Sequence, residues 1–432
     1  MTSTHRPTAR QPNHQLNRER GARDAAPPIP THRDPRRLAI SLLEGFAAGQ
    51  YDQLDGPLDL TTAGWPEADA DLARELVLGT VAWMRLYDAL AQPFLKRPPP
   101  SPLATALRVM CHQLFALDRI PLHAALHATL EALRAEGHAY LVGVGNAVGR
   151  RLSVLRQEER DGEGPLGRLH PDHWPDTPGE RHSLPDLLVE DLTPVAPEGD
   201  PWPDLVLLQP LCTRTRRGTI PPQSAIARQD GPWTWWHFAQ EGLAYVTDGQ
   251  VVVQDAAQGE VVAAIRPRPG ELVLDLCAAP GGKSLALADA GCRVISGDFR
   301  LDKVQAMART PELNRRCLAQ DGQQTALAGG FDIVLVDAPC SNSGVLARRP
   351  EARWRYTPKN LRSLEGMQRG LLEAAAPLVA EGGRLVYSTC SLSPRENQQV
   401  AQSLPGWRVL AERLTWPDAW KGGGYVAVLV RI

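Results

Sequence analysis

The chain has 432 residues, more than one ordinary core accommodates, so two or three domains are expected. Hydrophobic residues make up 43% and the formal net charge is −2, which excludes wholesale disorder and leaves any nucleic-acid contact to local basic patches. The seven cysteines are odd in number and show no Cys-x-x-Cys spacing, so a disulfide scaffold is disfavoured and a reducing, cytoplasmic setting is expected.

Residues 1–33 are rich in Pro, Arg, Asn and Gln without periodicity, and read as a disordered basic tail. They hold no apolar segment of a secretory signal, and nothing further along has the length of a membrane span. From Asp34 to Arg156 the pattern is helical. Ser101 is placed to cap, Pro102 fits a first helical position, and Leu103, Leu107, Met110, Leu114 and Leu117 form one stripe. Leu72, Leu76, Thr80, Trp83 and Tyr87 form another. An all-α bundle of roughly five to six helices is expected over 34–156. Residues 157–192, dense in Gly, Pro, His and Asp, read as a linker. Residues 193–268 mix β-like runs (Leu205 to Leu208, Gln250 to Val253) with turn residues, which suggests a small α+β subdomain.

Residues 269–432 alternate strand and helix. Glu271 to Leu276, Arg293 to Ser296, Phe331 to Val336, Arg384 to Tyr387 and Tyr425 to Val430 are apolar strand segments. Such runs between helices predict an open, mostly parallel α/β sheet of Rossmann-like type.

The first of these strands runs into Cys277-Ala278-Ala279-Pro280-Gly281-Gly282-Lys283 and then a helix. Small residues allow close backbone approach, and a helix N-terminus offers amides to an anion. The spacing is not Gly-x-Gly-x-x-Gly, so a dinucleotide is disfavoured. Asp298 follows the second strand, where an acid can hold both ribose hydroxyls, and Asp321 follows further on, toward an adenine. S-adenosylmethionine fits this set, and no metal is expected.

Asp337-Ala338-Pro339-Cys340-Ser341 ends one strand and Ser388-Thr389-Cys390-Ser391 another, so both cysteines are expected on the ligand-binding rim of one sheet. Cytosine C5 is a poor nucleophile. A thiolate that adds to C6 makes C5 enamine-like and able to take a methyl group. Asp337 is placed to act as the acid near N3, and Lys283 with a helix N-terminus to favour a thiolate. Spacing alone does not say which cysteine attacks. Past the Cys340 loop, Arg348, Arg349, Arg353, Arg355, Lys359 and Arg362 surround Trp354 and Tyr356. Basic groups hold phosphates and aromatics stack on unpaired bases, so RNA contact is expected, with Arg348, Arg349, Arg353 and Trp354 as its core.

Three segments, Asp275 to Lys283, Asp337 to Val345 and Tyr387 to Asn397, resemble the signature motifs of the Nol/Nop/Sun family of RNA cytosine-5 methyltransferases. Val251 to Asp255 resembles that family's Gln-Asp lead-in. The front bundle resembles the RNA-binding NusB fold at Glu75 to Gly79, His112 to Leu114 and Asn146 to Val148. The resemblance implies that Cys390 is the nucleophile and that Cys340 helps release product. It implies that Ala278 to Lys283, Asp298, Asp321 and Asp337 surround the cofactor and base, and that the target is a cytosine in small-subunit rRNA. Where the family usually has Gly-Thr-Gly, this chain has Asn342-Ser343-Gly344. The presence of both cysteines and all three acids argues against the alternative of a non-catalytic assembly factor. A monomer is expected.

Overall fold

The computed structural model describes residues 33–157, 166–207, 212–216, 226–230, 233–237 and 251–432. The basic tail therefore lies outside the described residues, apart from Arg33. The chain divides into two compact units: residues 1–81, 90–160 and 168–170, and residues 82–89, 161–167 and 171–432.

The first unit is helical: α1 (Pro35–Ala47), α2 (Asp55–Thr62), α3 (Glu67–Ala91), α4 (Ser101–Phe115), α5 (Leu122–Ala135) and α6 (Val142–Leu152). Helix α1 starts where it does because the Asp34 carboxylate accepts the Arg36 and Arg37 amides at 2.9 and 3.1 Å, with Pro35 in the first turn. The predicted stripe of α4 (Leu103, Leu107, Met110, Leu114) is buried. Ser101 is not its cap. Pro100 takes that position, and the Ser101 hydroxyl instead donates to Glu44 at 3.0 Å. Helix α3 is interrupted at Trp83 (φ −120, ψ 17), next to the boundary at which Ala82–Ala89 joins the second unit.

In the second unit, much of the predicted linker is folded. Residues 171–192 carry α7 (Pro178–Arg181) and α8 (Asp186–Leu192), and Leu184, Leu188 and Leu192 are buried. Gly, Pro and His hide helices this short, because fewer than two turns leave no periodicity to read. The run Leu205 to Leu208 was expected to be β-like, but Trp202–Val206 is helical (α9), started by Pro201 and Pro203. A four-stranded antiparallel sheet follows in the order β2-β3-β1-β4, made of β1 (Cys212–Thr215), β2 (Ile226–Asp230), β3 (Trp233–His237) and β4 (Val251–Val253). Helix α10 (Ala256–Ile265) belongs with the large sheet rather than the small one. Its Ala256, Val261, Val262 and Ile265 share a core with Val273, Ala286, Ile333 and Val426.

The remaining elements are β5 (Leu272–Asp275), α11 (Gly282–Asp289), β6 (Arg293–Asp298), α12 (Leu301–Met307), β7 (Cys317–Ala319), β8 (Phe331–Asp337), α13 (Pro358–Ala375), β9 (Val379–Thr389), α14 (Gln398–Ala401), β10 (Trp407–Thr415) and β11 (Gly424–Arg431). The large sheet runs β10-β11-β9-β8-β5-β6-β7, parallel from β7 to β9 and antiparallel at β11 and β10. Apolar side chains leave it on both faces. Leu274, Val334, Leu385 and Ala427 pack against α13 residues Leu371 and Leu372, while Val273, Ile333, Val386 and Val428 pack against α10 and α11. The fold is thus a helical bundle, a small sheet and a Rossmann-like α/β sheet. Sequence periodicity missed β7 and β10. The first is three residues long, and β10 is an edge strand whose Arg408, Glu412 and Arg413 mask its alternation.

Candidate active site

The carboxyl ends of β5, β6, β8 and β9 collect the residues singled out in the sequence. At β5 the chain passes through Cys277 to Gly281 and enters α11, whose N-terminus has no side-chain cap. Gly281 sits there at φ +104, a conformation that L side chains rarely adopt, and an added Cβ would lie 3.2 Å from Met307. The turn is closed by the Gly281 amide on Ala278 O at 2.7 Å.

Four acids surround this turn. Asp275 is fully buried; its Oδ2 accepts the Ser284 hydroxyl at 2.6 Å, while Oδ1 has no hydrogen-bond partner among the described residues. Burial, against the opposing Ser284 hydrogen bond, pushes the Asp275 carboxyl up to about 7. Asp298, at the end of β6, accepts the Ala279 amide at 3.1 Å and the Arg300 amide at 3.0 Å. Asp321 is exposed beyond β7 and accepts the Gln323 amide at 3.0 Å. Asp337 ends β8 and accepts both the Lys283 ammonium at 2.7 Å and the Ser388 hydroxyl at 2.8 Å. Burial, then the summed charges of Asp275, Asp337, Asp298 and Asp321, push the Cys277 thiol well up. Cys277 is thus a thiol ringed by acids, which disfavour its ionisation. Burial opposes the Lys283 ammonium, but the charge and hydrogen bond of Asp337, with Asp275 and Cys390 beyond it, outweigh burial and hold its pKa above the usual lysine value.

These groups suit S-adenosylmethionine. The amides at the start of α11 would hold its carboxylate, and Asp298 would take its ribose hydroxyls with the lone pairs it retains. Phe299 and Leu301, beside Asp298, are 65% and 59% exposed, an unusual state for large apolar side chains and one that suits the flat face of an adenine. Nothing in the sequence pattern marks either residue.

The two cysteines meet. Strand β8 pairs with β9 in parallel register, Asp337 opposite Ser388, and the Ala338 amide bonds Ser388 O at 2.8 Å. Past that pairing the Cys340 and Cys390 sulfurs lie 3.0 Å apart. Asn342 occupies the left-handed region at φ +61, which asparagine tolerates better than most residues. Its Nδ2 donates to Cys340 O at 3.2 Å, and its Oδ1 accepts the Cys390 thiol at 3.1 Å. The Gly344 amide donates to Cys390 O at 2.9 Å, and Gly344 O accepts the Gly423 amide at 2.6 Å. No side chain fits between them, since a Cβ on Gly344 would lie 2.6 Å from the Gly423 backbone. The hydrogen bond to Cys390, burial, and the charges of Cys390 and Glu396 all push the Cys340 thiol well up, against the opposing Asn342 amide.

The basic cluster behaves differently from expectation. Arg353, a predicted RNA contact, is 1% exposed, and its guanidinium donates to the carbonyls of Ala82 (2.6 Å), Ser183 (3.3 Å) and Leu346 (3.3 Å). It ties loops of the second unit together and cannot reach a nucleic acid. Arg348 pairs with Asp255, which also caps α10 and accepts the Gly422 amide. Tyr356 is buried and donates to Asp191 at 2.7 Å. Arg349 and Trp354 are half-buried, while Arg355, Lys359 and Arg362 are exposed. A charge run in sequence does not distinguish an arginine that binds carbonyls from one that faces water.

A Rossmann-like sheet with a small-residue turn and acids at successive strand ends is the site of an S-adenosylmethionine-dependent methyltransferase. A model of the 16S rRNA methyltransferase RsmB/F family matches residues 262–411, and one of the NusB family matches residues 33–153. The chain is 34% identical to the putative methyltransferase Rv1407 of Mycobacterium tuberculosis, covering 83% of this chain and 84% of that one. It is 30% identical to the probable ribosomal RNA small subunit methyltransferase B of Synechocystis, over 81% of this chain and 84% of that one. The crystal structure of PH0851 has the same fold, with a TM-score of 0.67 at 18% identity over 92% of this chain and 99% of that one. The chain belongs to the 16S rRNA methyltransferase RsmB/F family, and its reaction is methylation of RNA. Among the described residues there is no group of His, Cys, Asp or Glu that could hold a metal ion, and no helix long and apolar enough to cross a membrane.

Two outcomes are expected. Removing Arg353 leaves buried carbonyls unpaired, so Arg353→Ala should cost about 2–4 kcal/mol in urea unfolding, whereas Arg349→Ala should stay within about 0.5 kcal/mol. Asp275 binds its proton more tightly folded than unfolded. Its contribution to stability is therefore full below the unfolded value of about 4 and is lost as pH rises to about 7. Urea midpoints of Asp275→Asn should fall less steeply over that range than those of the unaltered protein.

Proposed function

We propose that the chain makes 5-methylcytosine in small-subunit rRNA, with Cys390 as nucleophile and Cys340 assisting release. The observation that carries this proposal is the pair of thiols 3.0 Å apart beside the Lys283–Asp337 ion pair. S-adenosylmethionine, held by Cys277 to Lys283, Asp298 and Asp321, supplies an electrophilic methyl group. The Cys390 thiolate adds to C6, and the electron pair of the C5–C6 bond becomes available at C5 for methylation. A base then takes the C5 proton, the electrons of that bond re-form the C5–C6 double bond, and Cys390 leaves as a thiolate. Lys283 lies near enough to Cys390 for the two groups to interact electrostatically. Asp337, oriented by Lys283 and Ser388, faces the polar edge of the pyrimidine near N3. Cys340, its sulfur 3.0 Å from that of Cys390, assists the elimination by taking the C5 proton in its deprotonated form.

The small-subunit target rests on the names of the relatives. RNA contact falls to Arg349 and Trp354 in the second unit, where Arg348 has a structural partner as well. In the helical unit, residues 34–156, Arg151 lies over the Phe94 ring at 5.9 Å, and exposed Lys96, Arg97 and Arg150 are near in sequence to that pair. Charge of this kind suits phosphates and an aromatic suits a base. The protein is proposed to act as a cytoplasmic monomer.

Incubation with labelled S-adenosylmethionine and unmodified small-subunit rRNA should label one cytosine. Cys390→Ala should abolish transfer, and Cys340→Ala should accumulate a covalent protein–RNA species visible on a denaturing gel. Turnover by Cys390→Ala together with its loss in Cys340→Ala would reverse the roles.

A further inference from the structure

Strand pairing carries β8 and β9 only as far as Asp337 and Ser388. Both cysteines lie beyond it, on loops that the sheet no longer holds together. Besides the Asn342–Cys390 and Ser343–Ser391 contacts, one buried carboxylate bridges those loops. Glu396 is fully buried; its Oε1 accepts the Ser341 amide at 2.8 Å and the Gln368 amide nitrogen at 3.1 Å, while Oε2 accepts the hydroxyls of Ser341 and, at 2.6 Å, Ser391. Ser341 follows Cys340 directly and Ser391 follows Cys390. Gln368, on α13, also donates to Pro339 O at 2.9 Å, so the residue before Cys340 is held as well. Glu396 is itself fixed, because the Tyr387 hydroxyl donates to its carbonyl at 2.6 Å and its neighbour Asn397 bonds both Thr389 and Ser391. Among the described residues no cation is paired with this carboxylate; its charge is carried by hydrogen-bond donors alone.

We infer that Glu396 is a positioning residue of the methyl transfer: it sets the two cysteine loops side by side and holds a buried carboxylate against the Cys340 loop, which leaves attack to Cys390. This rests on the proposed two-thiol chemistry. A structural clamp needs only the bonds, which an amide could supply. The carboxylate adds charge within a dry network, where charges act strongly on their neighbours. Cys340 also interacts electrostatically with Cys390 and the Tyr387 phenol, and Lys283, paired with Asp337, interacts with Cys390. The Cys340 thiol is pushed up by its Cys390 hydrogen bond and by burial first, with Glu396 adding to both.

The test separates charge from geometry in the full chain. Glu396→Gln keeps an oxygen for the Ser341 amide and Gln368 and offers N–H groups to serine hydroxyls that can turn to accept. Glu396→Asp keeps the charge but shortens the reach. Iodoacetamide labelling of Cys340 is followed by peptide mass spectrometry from about pH 6 to about pH 10 in a Cys390→Ala background, which removes coupling between the thiols. Glu396→Gln should move the Cys340 profile down by about one unit or more, and Glu396→Asp should leave it near the parent. With Cys390 present, Glu396→Asp should lower kcat about tenfold or more with KM for RNA nearly unchanged. Superimposed Cys340 profiles for parent and Glu396→Gln, with melting curves showing both folded, overturn the charge role. Unchanged kcat in Glu396→Asp overturns the positioning role. Should Cys390→Ala still turn over, the two-thiol chemistry fails, yet the shift in Cys340 labelling would persist and mark that failure as separate.

Discussion

Parallel pairing of β8 with β9, with Asp337 opposite Ser388, is the constraint on which the chemistry of this chain depends. Parallel strands emerge at the same rim, so residues at similar offsets past the pairing come out together. Cys340 lies three residues beyond Asp337 and Cys390 two beyond Ser388, and their sulfurs come within 3.0 Å. A shift of the pairing by one residue would exchange the faces of the sheet and part the sulfurs. Most of the core serves this register. Val334 and Leu385, and Leu335 and Val386, are paired neighbours with no exposure, packed under helices on both sides.

The rim carries an ion pair where the cofactor and base belong, and hydroxyls and amides gathered on one carboxylate where the loops are tied. Lys283 and Asp337 form the ion pair nearest the thiols, and each has a further partner: Lys283 feels Asp275 and Cys390, and Asp337 accepts Ser388. The cysteine loops themselves are held by Ser341, Ser343, Ser391, Asn342 and Asn397, whose hydroxyls and amides satisfy one another around a single buried carboxylate. Hydroxyls and amides of this kind fix a geometry and leave the carboxylate as the charge of the network. The close backbone approach of Gly344 to Gly423 completes the arrangement, bringing the loop before β11 against the cysteine loops.

What sequence makes legible here follows the physics of each signal. Apolar runs of β5, β6, β8, β9 and β11 are long enough to name, and the small-residue turn after β5 announces a ligand. The convergence of Cys340 and Cys390 was readable because both end apolar strands of one parallel sheet. Less was legible where burial decides the role. Arg353 resembles its exposed neighbours in a charge run, and only the fold shows its guanidinium among carbonyls. Glu396 stood within a quoted motif, yet a glutamate six residues after a cysteine carries no mark of being the acceptor for two loops. The folded stretch from Pro171 to Leu192 was hidden by turn-rich composition, and Asp275 gave no sign that half its carboxylate lacks a partner.

The central claim is that the sulfur of Cys390 bonds to the pyrimidine while Cys340 stays beside it. It is tested most directly with small-subunit rRNA carrying 5-fluorocytidine at the labelled position, together with S-adenosylmethionine. Fluorine cannot leave as a proton does, so elimination stops and the adduct persists. Proteolysis and mass spectrometry of that complex should place the methylated fluoropyrimidine on the peptide containing Cys390. Its recovery on Cys340, or steady labelling of ordinary rRNA with no adduct on either cysteine, would contradict the account.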